Sequence, residues 1–191
     1  MLYELALQYV LRSVMKSKTI SVSAIAAAFV TICLTIGAYF EVADLVALVA
    51  ASVFVILPLY MNSYKGCLLC YLAGGVLAFL CSGFNIMSLV FPAYFAFFGV
   101  YPIVKSKFTD VNFNKYLGFI IGLVWFVLVA YGMFFYYTAI MGRVFTDLPE
   151  WILKNVLYFL APLAVIVFVV FDRYVVVMRR VINHYLGRII K

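Results

Sequence analysis

Long apolar segments, each nearly free of charge, dominate the 191-residue sequence. Most reach the roughly 20 residues that a helix needs to cross the hydrocarbon core of a bilayer. Only 11% of the residues are charged and 69% are hydrophobic, against about 25% charged and about 45–50% apolar in an ordinary soluble domain. A soluble fold of this length has too little interior for these side chains. The sequence therefore predicts a polytopic membrane protein, with six apolar segments at Thr19–Phe40, Leu45–Met61, Gly66–Phe84, Ile86–Val104, Tyr116–Met141 and Trp151–Phe171.

The breaks between the early segments are very short, at Glu41–Asp44, Asn62–Lys65 and Ser82–Asn85. Short connections force consecutive helices to pack as antiparallel neighbours. We therefore expect an all-α membrane protein: a compact bundle of six transmembrane helices, forming one integral membrane domain over residues 1–191 with the spans in residues 19–171.

Basic residues are distributed unevenly over the two sides that six spans would create. The positive-inside rule places the side richer in Lys and Arg in the cytoplasm. We therefore expect a multi-pass protein of the cell membrane with both termini cytoplasmic, and the net charge of +7 becomes a topology signal rather than a sign of nucleic-acid binding. The other side holds Arg143 and Lys154, and the predicted cytoplasmic side holds Arg12, Lys16, Lys18, Lys65, Lys105, Lys107, Lys115, Arg173, Arg179, Arg180, Arg188 and Lys191.

Both ends of the chain have an amphipathic pattern with a helical period. Residues 1–18 place Glu4, Gln8, Arg12 and Lys16 four apart on one face, and residues 172–191 separate basic from apolar positions in the same way. We expect amphipathic helices at the cytoplasmic membrane surface. Two roles stay open, anchoring beside anionic lipid and docking onto a partner, and the pattern favours anchoring.

Several kinds of chemistry have no signature in the sequence. It contains no G-x-x-x-x-G-K-[ST] phosphate loop and no H-E-x-x-H zinc motif. Proton- or ion-driven transport usually requires an ionisable residue deep in a span, and no predicted segment contains one. The four cysteines fall in apolar segments, where buried Cys acts as a small hydrophobe. We expect no enzymatic activity, catalytic residue, cofactor or metal.

Polar and aromatic residues gather near the predicted external ends of the last three segments. They predict a pocket open to the outside, with aromatic walls and a few charges that fix a small ligand. Pro92 lies nearby, at the depth of a pocket floor, and we expect its face to point into the protein. A packing kink without a ligand is an equal alternative for this proline. The alternative is an ordinary interface with an aromatic belt and solvated loops. The candidate ligand-binding residues are Tyr94, Tyr136, Arg143, Trp151 and Asn155.

The first segment contains a pair of small residues, Ala24 and Ala28, one helical turn apart. Small residues let helix backbones approach closely in a bilayer, where packing drives association. The pair either packs within the chain or docks a second membrane protein. Spacing alone favours internal packing.

These features together resemble the substrate-binding S components of energy-coupling factor (ECF) transporters. The shared features are a basic N-terminal flank, an alanine-rich first span with A-x-x-x-A, and six short-looped spans within about 190 residues. The stretch "NSYKGCLLCYLAGGVLAFLCSG" is similar to the hairpin between the second and third spans of S components, and "FFGVYPIVKSK" is similar to a fourth-span ending. The resemblance covers Lys16 to Phe171.

The resemblance implies a function and a set of partners. S components capture a vitamin or related micronutrient at the external face and dock through the alanine motif of the first span, here Ala24 and Ala28, onto a transmembrane coupling subunit. Two ATPase subunits then drive release of the ligand inside, which agrees with the missing phosphate loop. The amphipathic termini depart from many S components, and no motif indicates which ligand is bound.

A non-transport alternative is a membrane scaffold of the rod-shape-determining type, similar in size and number of spans. Such a protein also lacks catalytic residues and ATP motifs. A transporter predicts an external pocket of a few hundred Å³, whereas a scaffold predicts a filled bundle.

Overall fold

The computed structural model of the protein describes residues 2–61, 63–86, 88–141 and 150–189. All regular structure within these ranges is helical, which confirms the all-α prediction. One 3₁₀ turn precedes the second helix and another follows it. The α-helices are α1 (Leu2–Tyr39), α2 (Asp44–Ile56), α3 (Tyr64–Cys81), α4 (Val90–Ala93), α5 (Tyr101–Asp110), α6 (Lys115–Met141) and α7 (Glu150–Ile189).

Five of the described helical segments are long and apolar enough to cross a membrane. The last of them, Tyr158–Ile182, overlaps the predicted segment Trp151–Phe171. The chain is thus a multi-pass membrane protein by length and composition of its helices. The five segments are Ser17–Tyr39, Asp44–Met61, Tyr64–Cys81, Lys115–Tyr136 and Tyr158–Ile182.

The fourth predicted segment, Ile86–Val104, does not form one continuous helix. The chain forms α4, then a π-turn over Tyr94–Phe98, then α5. Pro92 lies in the first turn of α4 and Pro102 in the first turn of α5. Amides of a first turn have no partner within the helix, so neither proline removes a helical hydrogen bond there. The segment therefore accommodates its two prolines because each lies where a helix begins.

This interrupted segment nevertheless follows the long helices from one end to the other. Near its start, the Asn85 side-chain amide donates to the carbonyl of Ala38 over 3.4 Å, and the Tyr136 hydroxyl donates to the carbonyl of Ile86 over 2.7 Å. At its finish, Asp110 accepts hydrogen bonds from Tyr64, at the start of α3, and from Arg179 in α7. We call the end of the bundle around Asp110 the basic end.

Helix α1 packs closely against α3 because two glycines remove side-chain bulk from the contact. A Cβ atom on Gly74 would lie 2.7 Å from a methyl carbon of Val30 and 3.2 Å from the carbonyl oxygen of Ala27. A Cβ atom on Gly66 would lie 2.7 Å from the hydroxyl oxygen of Ser23. The buried residues of α1 therefore form a narrow strip that faces these glycines.

An aromatic cluster fills the centre of the bundle between the π-turn, α6 and α7. Phe97 is 0% exposed, and its ring lies 4.8 Å from that of Tyr101 and 4.7 Å from that of Phe126, measured between centroids. Phe168 and Phe171 of α7 complete the cluster from the other side. Such ring pairs stabilise a contact beyond the area they bury.

The terminal amphipathic segments are extensions of the first and last long helices. Helix α1 continues without a break across the expected boundary at residues 18 and 19, and α7 continues across residues 171 and 172. The side chains of residues 1–16 lie outside the described set, so the face they present stays a prediction.

Candidate functional site

The predicted external site is described only in part. Tyr94 is 0% exposed, and its hydroxyl donates to the carbonyl of Tyr71 over 3.2 Å, so it packs in the core. Tyr136 lies beside the start of the fourth segment, where it binds the carbonyl of Ile86, and Asn155 is exposed on α7. Arg143 lies outside the described residues, as does the side chain of Trp151. The ligand site at this end therefore stays a prediction.

Ala24 and Ala28 are exposed on the surface of α1. The small residues of α1 that do pack inside the chain are their neighbours Ser23, Ala26 and Ala27, which are buried. Spacing favoured internal packing for the Ala24–Ala28 pair, but the helix turns this pair outward. The pair therefore lies on the face of α1 that also exposes large apolar side chains such as Ile25.

A cleft of about 1060 Å³ opens at the basic end, between α5, the α5–α6 turn, the start of α6 and the second half of α7. We call it the basic cleft. Its polar lining contains a single acid, Asp172, besides the neutral Ser106, Thr109, Asn112 and Asn114. The apolar lining includes Phe108, Phe113, Phe119, Val175 and Val176, and the basic residues are Lys105, Lys115, Arg173, Arg179 and Arg180.

The α5–α6 turn that borders the basic cleft is held by backbone hydrogen bonds. The amide of Asn112 donates to the carbonyl of Thr109 over 3.3 Å, and the amide of Phe113 donates to that of Phe108 over 2.9 Å. Asn112 has the left-handed backbone conformation, at φ 53°, that this Schellman ending requires. The rings of Phe108 and Phe113 stack at 4.8 Å and supply its hydrophobic contact. The turn is thus a defined wall of the basic cleft.

A buried ion pair closes the inner side of the basic cleft. Lys105 Nζ lies 2.7 Å from Asp172 Oδ1, and the two side chains are only 17% and 8% exposed. The Tyr101 hydroxyl also donates to Asp172. Two partners therefore satisfy a carboxylate that sits between helices, directly after the last predicted segment.

A second acid, Asp110, ties α5 to α3 and α7. It accepts hydrogen bonds from the Tyr64 hydroxyl and the Arg179 guanidinium, and Arg179 Nη1 donates to the carbonyl of Ser106 over 3.1 Å. Partial burial raises the pKa of the Asp110 carboxyl, but the hydrogen bonds from Tyr64 and Arg179 and the positive charge of Arg179 outweigh this effect and lower the pKa below its ordinary value. Asp110 therefore stays ionised at neutral pH and positions Arg179.

Three of the five basic side chains in the cleft have no counter-charge among the residues that the structure describes. Lys115, Arg173 and Arg180 are exposed and form no ion pair or side-chain hydrogen bond with any other described residue. The N-terminus of α6, which begins at Lys115, adds a partial positive charge to the same cleft. The electrostatics of the cleft thus favour an anion.

Sequence reasoning missed this cleft because it treated the basic residues as a topology signal alone. The residues come from two distant stretches, 105–119 and 172–180, which the fold brings together. One signal was available: both stretches follow the predicted cytoplasmic ends of spans, so six-span topology already placed them at the same end.

No protein-family model matches the chain, and no curated protein or solved structure is significantly similar to it.

Proposed function

We propose that the chain is the substrate-capture subunit of an importer of the ECF type. It takes up a vitamin or related micronutrient at the external face and docks on a transmembrane coupling subunit that two ATPase subunits power. The observation that carries the proposal is the outward orientation of Ala24 and Ala28, which docking requires and internal packing forbids.

The proposal includes six membrane passes, with both termini in the cytoplasm of a multi-pass cell-membrane protein. Contacts of the interrupted fourth segment support the sixth pass, because residues 85–86 bind the ends of α1 and α6, whereas Asp110 binds the start of α3. Residues 90–110 would be about 31 Å long if fully helical, at 1.5 Å per residue, which matches the hydrocarbon core. The basic end then faces the cytoplasm.

Docking is tested by Ala24→Leu combined with Ala28→Leu. We expect stability in detergent near that of the parent, because both positions are exposed, while co-purification of the coupling subunit and its ATPases is lost along with uptake. The control is Ala139→Leu, which enlarges an exposed alanine on α6 and should leave association intact. A double variant that unfolds, or one that still recruits the coupling subunit, shows that docking uses another surface.

A scaffold of the rod-shape-determining type is the second candidate, and the filled centre of the bundle favours it. Tyr94 and Phe97 are both 0% exposed, and Tyr94 is already hydrogen bonded within the chain. A scaffold needs no space for a ligand. An importer needs the external ends of the last three segments to admit one, next to Tyr136, Trp151 and Asn155.

Mass spectrometry of small molecules that co-purify with the protein separates the two candidates. For the importer we expect one small molecule in near-stoichiometric amount, and weaker retention in Trp151→Ala and Asn155→Ala, which remove groups from the predicted pocket. Retention unchanged in both variants places the site elsewhere. A protein that carries no small molecule and restores none when incubated with cell extract is what the scaffold predicts.

A further inference from the structure

We propose that the basic cleft binds a phosphate-bearing anion, with the head group of an anionic phospholipid as its expected source. This inference is separate from the proposed external ligand site and does not depend on ECF-type transport. It rests on charge, on unsatisfied polar groups and on the amphiphilic lining of one cleft.

The charge of the lining is strongly one-sided. Five basic residues face one acidic residue, an excess of four positive charges. Lys105 is paired with Asp172, and Arg179 with Asp110 and the Ser106 carbonyl, so these two have structural roles. Lys115, Arg173 and Arg180 are the groups left to contact a ligand. Their mutual repulsion is relieved when an anion binds between them, and phosphate oxygens accept hydrogen bonds from Arg and Lys.

A buried polar group without a hydrogen-bond partner also indicates that the cleft binds a ligand. The Ser106 hydroxyl oxygen is buried, with the residue 1% exposed, and makes no hydrogen bond within the described part of the chain. A buried hydroxyl without a partner is costly unless a ligand or water satisfies it. Asn112 lines the cleft beside the N-terminus of α6, whose partial positive charge also favours phosphate.

The apolar part of the lining favours a lipid over a soluble phosphate. Phe108, Phe113 and Phe119 stand beside the basic side chains in the same cleft. The cleft also lies where apolar helices end, so a phosphate held by the basic residues leaves its glycerol and acyl carbons beside aromatic rings. Basic pockets between helices at the cytoplasmic side of a membrane recognise lipid head groups in this way.

Three matched probes distinguish recognition of the phosphate from nonspecific hydrophobic binding of the acyl chains. The purified full-length protein in a neutral detergent is titrated with dioctanoyl phosphatidylglycerol, with dioctanoylglycerol, which lacks the phosphate, and with glycerol 3-phosphate, which lacks the acyl chains. Native mass spectrometry reports the bound fraction. We expect phosphatidylglycerol to bind far more tightly than dioctanoylglycerol. Glycerol 3-phosphate that binds as tightly as the lipid confirms the phosphate site and assigns it to a soluble phosphate compound.

The decisive comparison is between two triple variants with the same change in net charge. Lys115→Gln/Arg173→Gln/Arg180→Gln removes the unpaired charges of the cleft. Lys18→Gln/Lys65→Gln/Lys107→Gln removes three exposed charges that do not line it. We expect the first to bind phosphatidylglycerol about tenfold or more weakly, because three cationic contacts are lost, and the second to bind it nearly as the parent does.

Two outcomes overturn the proposal: equal weakening in both triple variants, which indicates diffuse surface charge, or equal binding of dioctanoylglycerol and phosphatidylglycerol. Thermal unfolding of each variant checks that it is folded. If the cleft variant fails to fold, Arg173→Gln is compared with Lys107→Gln, and the proposal then requires weaker binding in Arg173→Gln only.

Discussion

At the scale of single residues, the ion pair between Lys105 and Asp172 is the least expected feature of the molecule. In the sequence, Lys105 and Asp172 lie just outside two predicted spans. The structure instead buries them together, with the Tyr101 hydroxyl on the same carboxylate. Sequence patterns could not pair them because 67 positions separate them, and pairing depends on how the fourth and last segments pack.

The buried pair predicts a specific pattern of stability. Lys105→Met leaves the Asp172 charge without its cation, and we expect a loss of about 3–5 kcal/mol in the free energy of unfolding. Adding Asp172→Asn should recover much of this loss, since both charges are then gone. Chemical unfolding in detergent measures all the variants.

The matched control for this pair is Asp110→Asn. Asp110 is paired with Arg179 but its side chain is 45% exposed, so we expect a much smaller loss, of about 0–1 kcal/mol. A Lys105→Met variant no less stable than Asp110→Asn, or a double variant less stable than Lys105→Met, contradicts the assigned role of the pair.

At the scale of elements, the sequence predicted where the apolar segments lie but not how the fourth segment is built. Long apolar runs dictate helices in lipid, because every backbone group must be satisfied internally. The fourth segment has this composition too, yet it forms α4, a π-turn and α5. A Cβ atom on Gly99 would lie 2.4 Å from the ring of Tyr71, so Tyr71 packs tightly against the turn that separates the π-turn from α5. That contact is tertiary and leaves no pattern in the segment itself.

Packing between α1 and α3 explains why α1 has one buried set of small residues and one exposed pair. The A-x-x-x-A spacing identified Ala24 and Ala28 as a close-packing pair, but spacing alone does not say which partner they face. The glycines Gly66 and Gly74 of α3 decide it, since they receive Ser23 and Ala27, one position before each alanine of the pair. A shift of one position rotates a helix face by about 100°. Internal packing therefore leaves the predicted pair on the surface.

At the scale of the whole molecule, composition predicted the all-α membrane class, and the distribution of basic residues predicted an orientation. The basic cleft arises only when the stretches at 105–119 and 172–180 meet, so no local motif marks it. The external site depends on Arg143 and on the side chain of Trp151, which lie outside the described residues, so that site stays a prediction. The basic cleft and the external site lie on opposite sides of the membrane only if the fourth segment crosses it.

Thiol accessibility on either side of the fourth segment tests this central claim most directly. In a background without Cys33, Cys67, Cys70 and Cys81, one variant carries Ile86→Cys and another carries Val111→Cys, at positions that are 62% and 69% exposed. Six passes with a cytoplasmic basic end predict that an impermeant thiol reagent labels Ile86→Cys in intact cells and labels Val111→Cys only after permeabilisation. Labelling of both variants in intact cells would show that the segment returns to the side it started from, and the reverse pattern would show that the basic end faces outward.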